Sequence, residues 1–513
     1  MNQPPPPPGG PSGPDVPGPW TPPPPVRRAG PPGAFGPPSA PSAPAAPVPP
    51  HGQTSAPQGR PHAVTPPYPA PPPPAGGRPR GARLLAVVAA VLATVLAGGG
   101  AWLLYGDGDG DGEKPSAGAP LPGHRKNAEI AWERPAPRIP DVRDTPGTWF
   151  TAETVVKAAL TEVAGHRLDT GKKEWRVPLR GVACATSGEA VAGRAAVQHG
   201  HACELLTVVD LEQGTALWTR RVPVPADAGP EPWELAVTEQ TVAVAAQRVT
   251  TVYRIADRKA VQQLNRSGDT CRAHGVTGGS RLVARAWCDD GTKWIRVHDP
   301  ATGKREWSWR VPDGLRVQGI PSVEPLVVVL EGDAAAGTHS VHHLPGEGEP
   351  PVVMDLGRDA DRETGLCEDV TVCPGAVAGG RTLYVRGVTR DSLGDSSASE
   401  NAVIAYDLRT GRARWAGEPE AKRTLRPVAE FQGDLVAYEP PTAEKGGALL
   451  RFDGATGRRS VYERHPAATS EREGELVRNA VPYLHRGMFF LAAAEIYEWE
   501  EGDPETALIA AFR

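Results

Sequence analysis

Six cysteines, two histidine pairs and one acidic glycine run are the groups in this 513-residue chain whose type and spacing could do chemistry. The cysteines fall as neighbours: Cys184 with Cys203, Cys271 with Cys288, and Cys367 with Cys373. Six cysteines allow 15 connectivities. Sequential pairing is the natural choice, because each pair brackets one hairpin-like stretch, and no C-x-x-C spacing supports a zinc site. Closing loops of about fifteen to twenty residues is worth about 3 kcal/mol in the chain-entropy model, and disulfides require an oxidising compartment. His199 and His201 would share one face of a strand, and His342 and His343 are adjacent. Neither pair has an identifiable third ligand, so both read as surface-loop histidines rather than a metal centre. Asp107–Glu113 opens like a calcium loop, but the position needing a bidentate Glu is Gly118 and no helices flank it. It reads as solvated linker. No catalytic, cofactor-binding or metal-ligating set emerges.

A repeat supplies the elements that would position these groups. HRLDTGKKEW, VVDLEQGTALW, VHDPATGKREW and AYDLRTGRARW each place a Gly four residues before a Trp. The pairs are Gly171 and Trp175, Gly214 and Trp218, Gly303 and Trp307, and Gly411 and Trp415. A further copy, RFDGATGRRSV, has Val461 in the Trp register, and YRIADRKAV has lost the Gly and carries Val261 there. Self-similarity at about 40–45 residues marks a propeller blade or a similar unit. Before each turn runs an aliphatic, β-branched strand, as in Leu205–Leu211. The Asp caps its own backbone and the Gly supplies positive φ. The Trp on the following strand is expected to fill the wedge between neighbouring sheets, a packing role rather than a ligand role.

The D-x-x-T-G-x-x-x-W pattern, followed by segments such as Arg221-Val222-Pro223, resembles the pyrroloquinoline-quinone-type (PQQ-like) β-propeller repeat over residues 130–513. The resemblance implies an all-β propeller, and turns near 170, 212, 257, 301, 343, 409 and 455 lead to eight four-stranded blades, with seven as the alternative. AEIAWERPAP is expected to supply the missing outer strand beside the C-terminal strand, closing the ring without an open edge. GVTRDSLGDSSASENA reads as a loop insertion. Quinone-dependent dehydrogenases of this fold carry adjacent cysteines in a disulfide against the cofactor; this chain has no two adjacent cysteines, and no motif maps onto their catalytic Asp or calcium ligands. The expectation is a non-enzyme without a cofactor, resembling in kind the propeller lipoproteins that scaffold envelope assembly, although it has no lipobox. The alternative is a quinoprotein oxidoreductase.

Residues 1–83 are a different material. They hold 32 of the 59 prolines, six arginines and the single acid Asp15. Such sequence buries too little to offset its ordering entropy and is expected to be disordered, with a cytoplasmic docking partner as its functional alternative. Leu84–Tyr105 is uncharged over 22 residues and long enough for a membrane-spanning helix. Arg78, Arg80 and Arg83 precede it and acids follow it, which predicts a cytoplasmic N-terminus and an outer C-terminal domain. An acidic and glycine-rich linker, 106–128, would lead to the propeller at 129–513. Without the tail, 49 basic and 59 acidic residues remain, a net charge of −10 that argues against nucleic acid as a partner. The expected partner is an extracellular protein, glycan or small ligand.

Overall fold

The computed structural model describes residues 126–513 apart from 146, 224–233, 247–248, 266–268, 334, 355, 357–365, 393–394, 421–422 and 499–504. The proline tail, the apolar segment Leu84–Tyr105 and the acidic run Asp107–Glu113 lie outside the described residues. Eight four-stranded antiparallel sheets follow one another along the chain. Blades 1 to 4 span 148–178, 183–221, 234–263 and 271–310, and blades 5 to 7 span 315–353, 376–417 and 426–464. Blade 8 combines three strands from 480–512 with Ile130–Pro135 as its outermost strand. That strand pairs antiparallel with the chain's last one, with Ile130 opposite Phe512 and Trp132 opposite Ala511. The ring therefore has eight blades rather than seven, closed by its two ends as the AEIAWERPAP segment suggested. Pairing begins slightly earlier than residue 129, since the Ala128 amide donates to the Arg464 carbonyl at 2.9 Å.

Burial explains the blade's internal order. Second strands such as Thr154–Ala159 and Met488–Ala493 are buried along their whole length, because both faces meet a neighbouring blade. Outer strands such as Lys173–Pro178 are mostly exposed. The apolar clusters lie between successive sheets; Tyr384 and Val403 of blade 6 pack with Leu435, Leu450 and Phe452 of blade 7. The insertion in blade 6 is a small hairpin, Arg390–Ser392 with Asp395–Glu400, set between that blade's second and third strands. A short helix, Ser470–Val477, links blades 7 and 8.

The turn chemistry is local. Asp299 Oδ1 accepts the Thr302 amide at 2.7 Å and its hydroxyl at 2.6 Å, and Asp453 holds Thr456 the same way at 2.8 and 2.6 Å. The glycine that follows takes φ of +69° at Gly303 and Gly411 and +70° at Gly457. Blade 3 forms the same turn without its glycine: Arg258 adopts φ 61°, a left-handed conformation that costs a side-chain-bearing residue about 1–2 kcal/mol.

Candidate functional site

Five of the seams between successive blades share a recurrent latch. The carbonyl three residues before the turn glycine, or before its substitute Arg258, receives a donor from the preceding blade. Trp132 donates its indole N–H to Leu168 O at 2.9 Å, Trp218 to Ile255 O at 2.8 Å, and Trp415 to Gly454 O at 3.1 Å. The glycine itself lies under a ring: a Cβ on Gly214 would sit 2.2 Å from the Trp175 ring, and one on Gly457 2.7 Å from that of Trp415. Trp132 thus occupies the repeat register in blade 8, which its lack of an upstream glycine concealed in the sequence. Trp218 is 6 % exposed, whereas Trp175, Trp307 and Trp415 are only half-buried. Three of the four motif tryptophans therefore cover seams on outer strands; the wedges closer to the axis are filled by Tyr384, Tyr406, Tyr438, Phe452 and Phe489.

Where the tryptophan is lost, other donors reach the same carbonyl. In blade 3 the Trp register holds Gln262 rather than Val261, because Gln262 lies four residues after Arg258 and faces Gly303, and the hydroxyls of Thr238 and Thr241 donate to Pro300 O at 2.9 and 2.7 Å. Blade 5 has only a two-residue outer strand, Val352–Val353, and His343 Nδ1 donates to Leu408 O at 2.9 Å. Three of these four histidines are consequently not surface-loop residues. His343 ends the third strand of blade 5, His342 is buried beside it, and His199 is buried with Nε2 2.9 Å from Thr207 Oγ1. His201 alone is an exposed turn residue.

Three disulfides join Cys184 to Cys203, Cys271 to Cys288 and Cys367 to Cys373. The first ties the inner strand of blade 2 to the turn after its second strand, and the second joins residues directly opposite in blade 4. The third is not inside a blade. It closes a loop in the connection between blades 5 and 6 that lies against the innermost strand of blade 5: a Cβ on Gly319 would be 2.4 Å from Cys367 Sγ, and the Ile320 amide donates to Val370 O at 2.8 Å. Thr371 of this loop reaches Gly188 of blade 2, and with inner-strand residues of blades 3 and 5 it lines a cavity of only about 40 Å³. Nearby, Glu234 pairs with Arg285 at 3.0 Å and accepts the Val276 amide at 2.8 Å. Burial, opposed by Arg285 and reinforced by Asp369 of the loop, pushes the Glu234 carboxyl up to about 8.

Two further buried charges were invisible to sequence reading. Burial lowers Lys157 to about 7, yet its ammonium is 2 % exposed and donates to Thr148 Oγ1 at 2.9 Å, to Ala493 O at 2.7 Å and to Thr145 O. Every N–H is used, so the amine fastens blade 1 to blade 8 and offers no nucleophile. His465 is enclosed between Glu473 at 2.7 Å and Glu463 at 3.1 Å and stacks 4.4 Å from Phe512. Burial alone would lower its pKa; the hydrogen bonds to both carboxylates outweigh that and hold it up to about 9.

Ligand-sized space lies on the rim. One cleft of about 410 Å³ sits beside the helix Ser470–Val477, lined by Arg138, Arg472, Leu476 and Tyr497. Two of its three arginines are committed: Arg472 holds Glu133 at 2.6 Å and Glu475 at 2.9 Å, and Arg138 lies 3.6 Å from Glu505, while Arg478 completes the lining. The second cleft, about 360 Å³, opens at the seam between blades 5 and 6. Among the described residues no group of three His, Cys, Asp or Glu side chains is arranged to hold a metal.

No protein-family model and no curated protein matches the chain. Solved structures similar to it include BamB from Moraxella catarrhalis, at 12 % identity and TM-score 0.42, covering 73 % of this chain and 96 % of that one. The quinohemoprotein alcohol dehydrogenase ADHIIG from Pseudomonas putida HK5 matches at 10 % identity and TM-score 0.43, over 75 % and 76 % of the two chains. The RRP9 WD40 repeats match at 10 % identity and TM-score 0.35, over 76 % and 98 %. Likeness at this level says nothing about ligand or activity.

Proposed function

We propose that this chain is a non-enzymatic binding or scaffold propeller, tethered by Leu84–Tyr105 with its blades outside the cell, whose partner docks on the rim. The observation that carries this reading is the occupied inner face of blades 2 to 5. The Cys367–Cys373 loop leaves a cavity of about 40 Å³ there, enough for a few waters, whereas ligand sites usually measure about 300–1,000 Å³. Spaces of that size occur on the rim, at about 410 and 360 Å³. The arginines before the apolar segment and the cysteines after it support the outward orientation.

Two measurements test this. Protease added to intact protoplasts should remove the blades and leave the proline tail protected; protected blades would reverse the orientation. The purified chain, incubated with pyrroloquinoline quinone and calcium, should gain neither quinone absorbance nor alcohol-dependent dye reduction. Turnover in that assay would replace the binding module with an oxidoreductase.

A further inference from the structure

The 360 Å³ cleft adjoins a seam that carries no indole. At Gly171, Gly214 and Gly457 the glycine faces the ring of Trp132, Trp175 or Trp415, at Gly303 it faces Gln262 and Val252, and at Gly411 it faces the Val353 carbonyl and the Val352 side chain. His343 supplies the seam's hydrogen bond without supplying the ring's bulk. The space left over is walled by Pro345, Pro350 and Val352 and bordered by His343, Arg381 and Arg409.

The polar groups there are asymmetric. Because His343 Nδ1 donates to Leu408 O, the neutral ring keeps Nε2 as an acceptor. Arg381 and Arg409 are exposed, and among the described residues neither guanidinium has a hydrogen-bond or ion-pair partner. Two acids also border the cleft: Asp407, whose Oδ1 accepts the Arg409 and Thr410 amides at 3.0 and 2.9 Å, and Glu349, which is exposed. In the 410 Å³ cleft two of the three arginines, Arg138 and Arg472, are already paired with carboxylates.

We propose that the cleft between blades 5 and 6 docks a tryptophan or tyrosine side chain, with a carboxylate beside it, presented by a partner protein. The ring lies in the cleft beside the seam, its N–H or O–H donates to His343 Nε2, and the flanking carboxylate meets Arg381 and Arg409. An aromatic anchor in a pocket with a charged rim is the usual form of an interface hot spot. The proposal rests on the rim-binding reading and names its partner class.

The test is a fluorescence-anisotropy titration of the full-length chain in detergent with a labelled Gly-Ser-Glu-Trp-Glu-Ser-Gly peptide. Saturable binding is expected, weakened about tenfold or more when the Trp becomes Ala or the flanking acids become Lys. The double variant Arg381→Glu, Arg409→Glu should lose binding with an unchanged melting temperature, since both side chains are exposed. Val352→Trp should block the cleft by restoring a ring. No saturable binding, equal binding of the ring-less peptide, or indifference to the double variant would each overturn the proposal. So would a wild-type oligomer that the double variant converts to monomer in sedimentation, because the occupant would then be a second copy of this chain. A failed titration removes this site and leaves the rim-binding reading in place, whereas quinone turnover would remove the reading itself.

Discussion

On its blade-7 side, blade 6 lays Trp415 across Gly457, stacks it 6.0 Å from Phe452 and donates its N–H to Gly454 O. On its blade-5 side the equivalent carbonyl, Leu408 O, is reached by His343, and no ring covers the seam. The two seams of one blade thus separate two jobs that the tryptophan motif combines. One is to satisfy a turn carbonyl, a requirement that persists wherever the backbone is buried. The other is to exclude water with a large ring. Only the first is kept at all five latches, which is why Thr238, Thr241 and His343 can stand in for an indole.

The contrast can be broken by mutation, beginning with the most buried latch. Trp218→Ala should cost about 3–5 kcal/mol in denaturant unfolding, as for other buried aromatics, because Trp218 is 6 % exposed and loses its bond to Ile255 O as well. Trp415→Ala, removing a half-buried ring, should cost less, about 2–3 kcal/mol. Equal losses at the two sites would mean that ring burial does not set the strength of a seam. His343→Ala removes a donor but no indole and should cost about 1–2 kcal/mol, mostly from the unpaired Leu408 carbonyl. A loss matching that of Trp218→Ala would show that the hydrogen bond, not the ring, holds the blades together.

Beside the apolar seam between blades 7 and 8 His465 is held by two carboxylates, and pH sharpens the contrast there. The His465 pKa is raised in the folded state from 6.5 to about 9. Its stabilisation is therefore full below pH 6.5 and lost as pH rises through 9. Glu234, raised to about 8, loses stabilisation in the same direction between pH 4.5 and 8, while Lys157, lowered to about 7, works the opposite way between pH 7 and 10.5. Comparing wild type with His465→Gln isolates the first contribution: the variant's unfolding free energy should fall less steeply between pH 6.5 and 9, by about 1.4 kcal/mol per pH unit at most. Identical slopes would show that His465 does not titrate in that window.

Much of the ring was legible beforehand because its signals are local. The Asp, the Gly and the Trp of a repeat lie within nine residues of one another, so turn and outer strand could be read together, and Cys271 and Cys288 face each other across a single hairpin. The third cysteine pair was legible as a pair but not as a position. Nothing in its spacing says that the loop it closes rests on Gly319 and Ile320, some fifty residues earlier in the chain. The tryptophans were given one shared burial, yet exposure depends on what the next blade brings against each ring, and it differs between Trp218 and Trp415.

By itself, the sequence determined that this chain builds blades, where their turns fall, which strand closes the ring and which cysteines are neighbours. Period, turn chemistry and side-chain volume act over a few residues and need no distant partner. The tertiary structure alone decided that Trp132 serves as the eighth blade's latch, that His343 replaces an indole for a carbonyl 65 residues away, and that Lys157 is buried against a carbonyl 336 residues away. It also decided where a ring-sized space remains. A cleft exists only relative to the blade that fails to fill it, and which blades are adjacent is fixed when the ring closes.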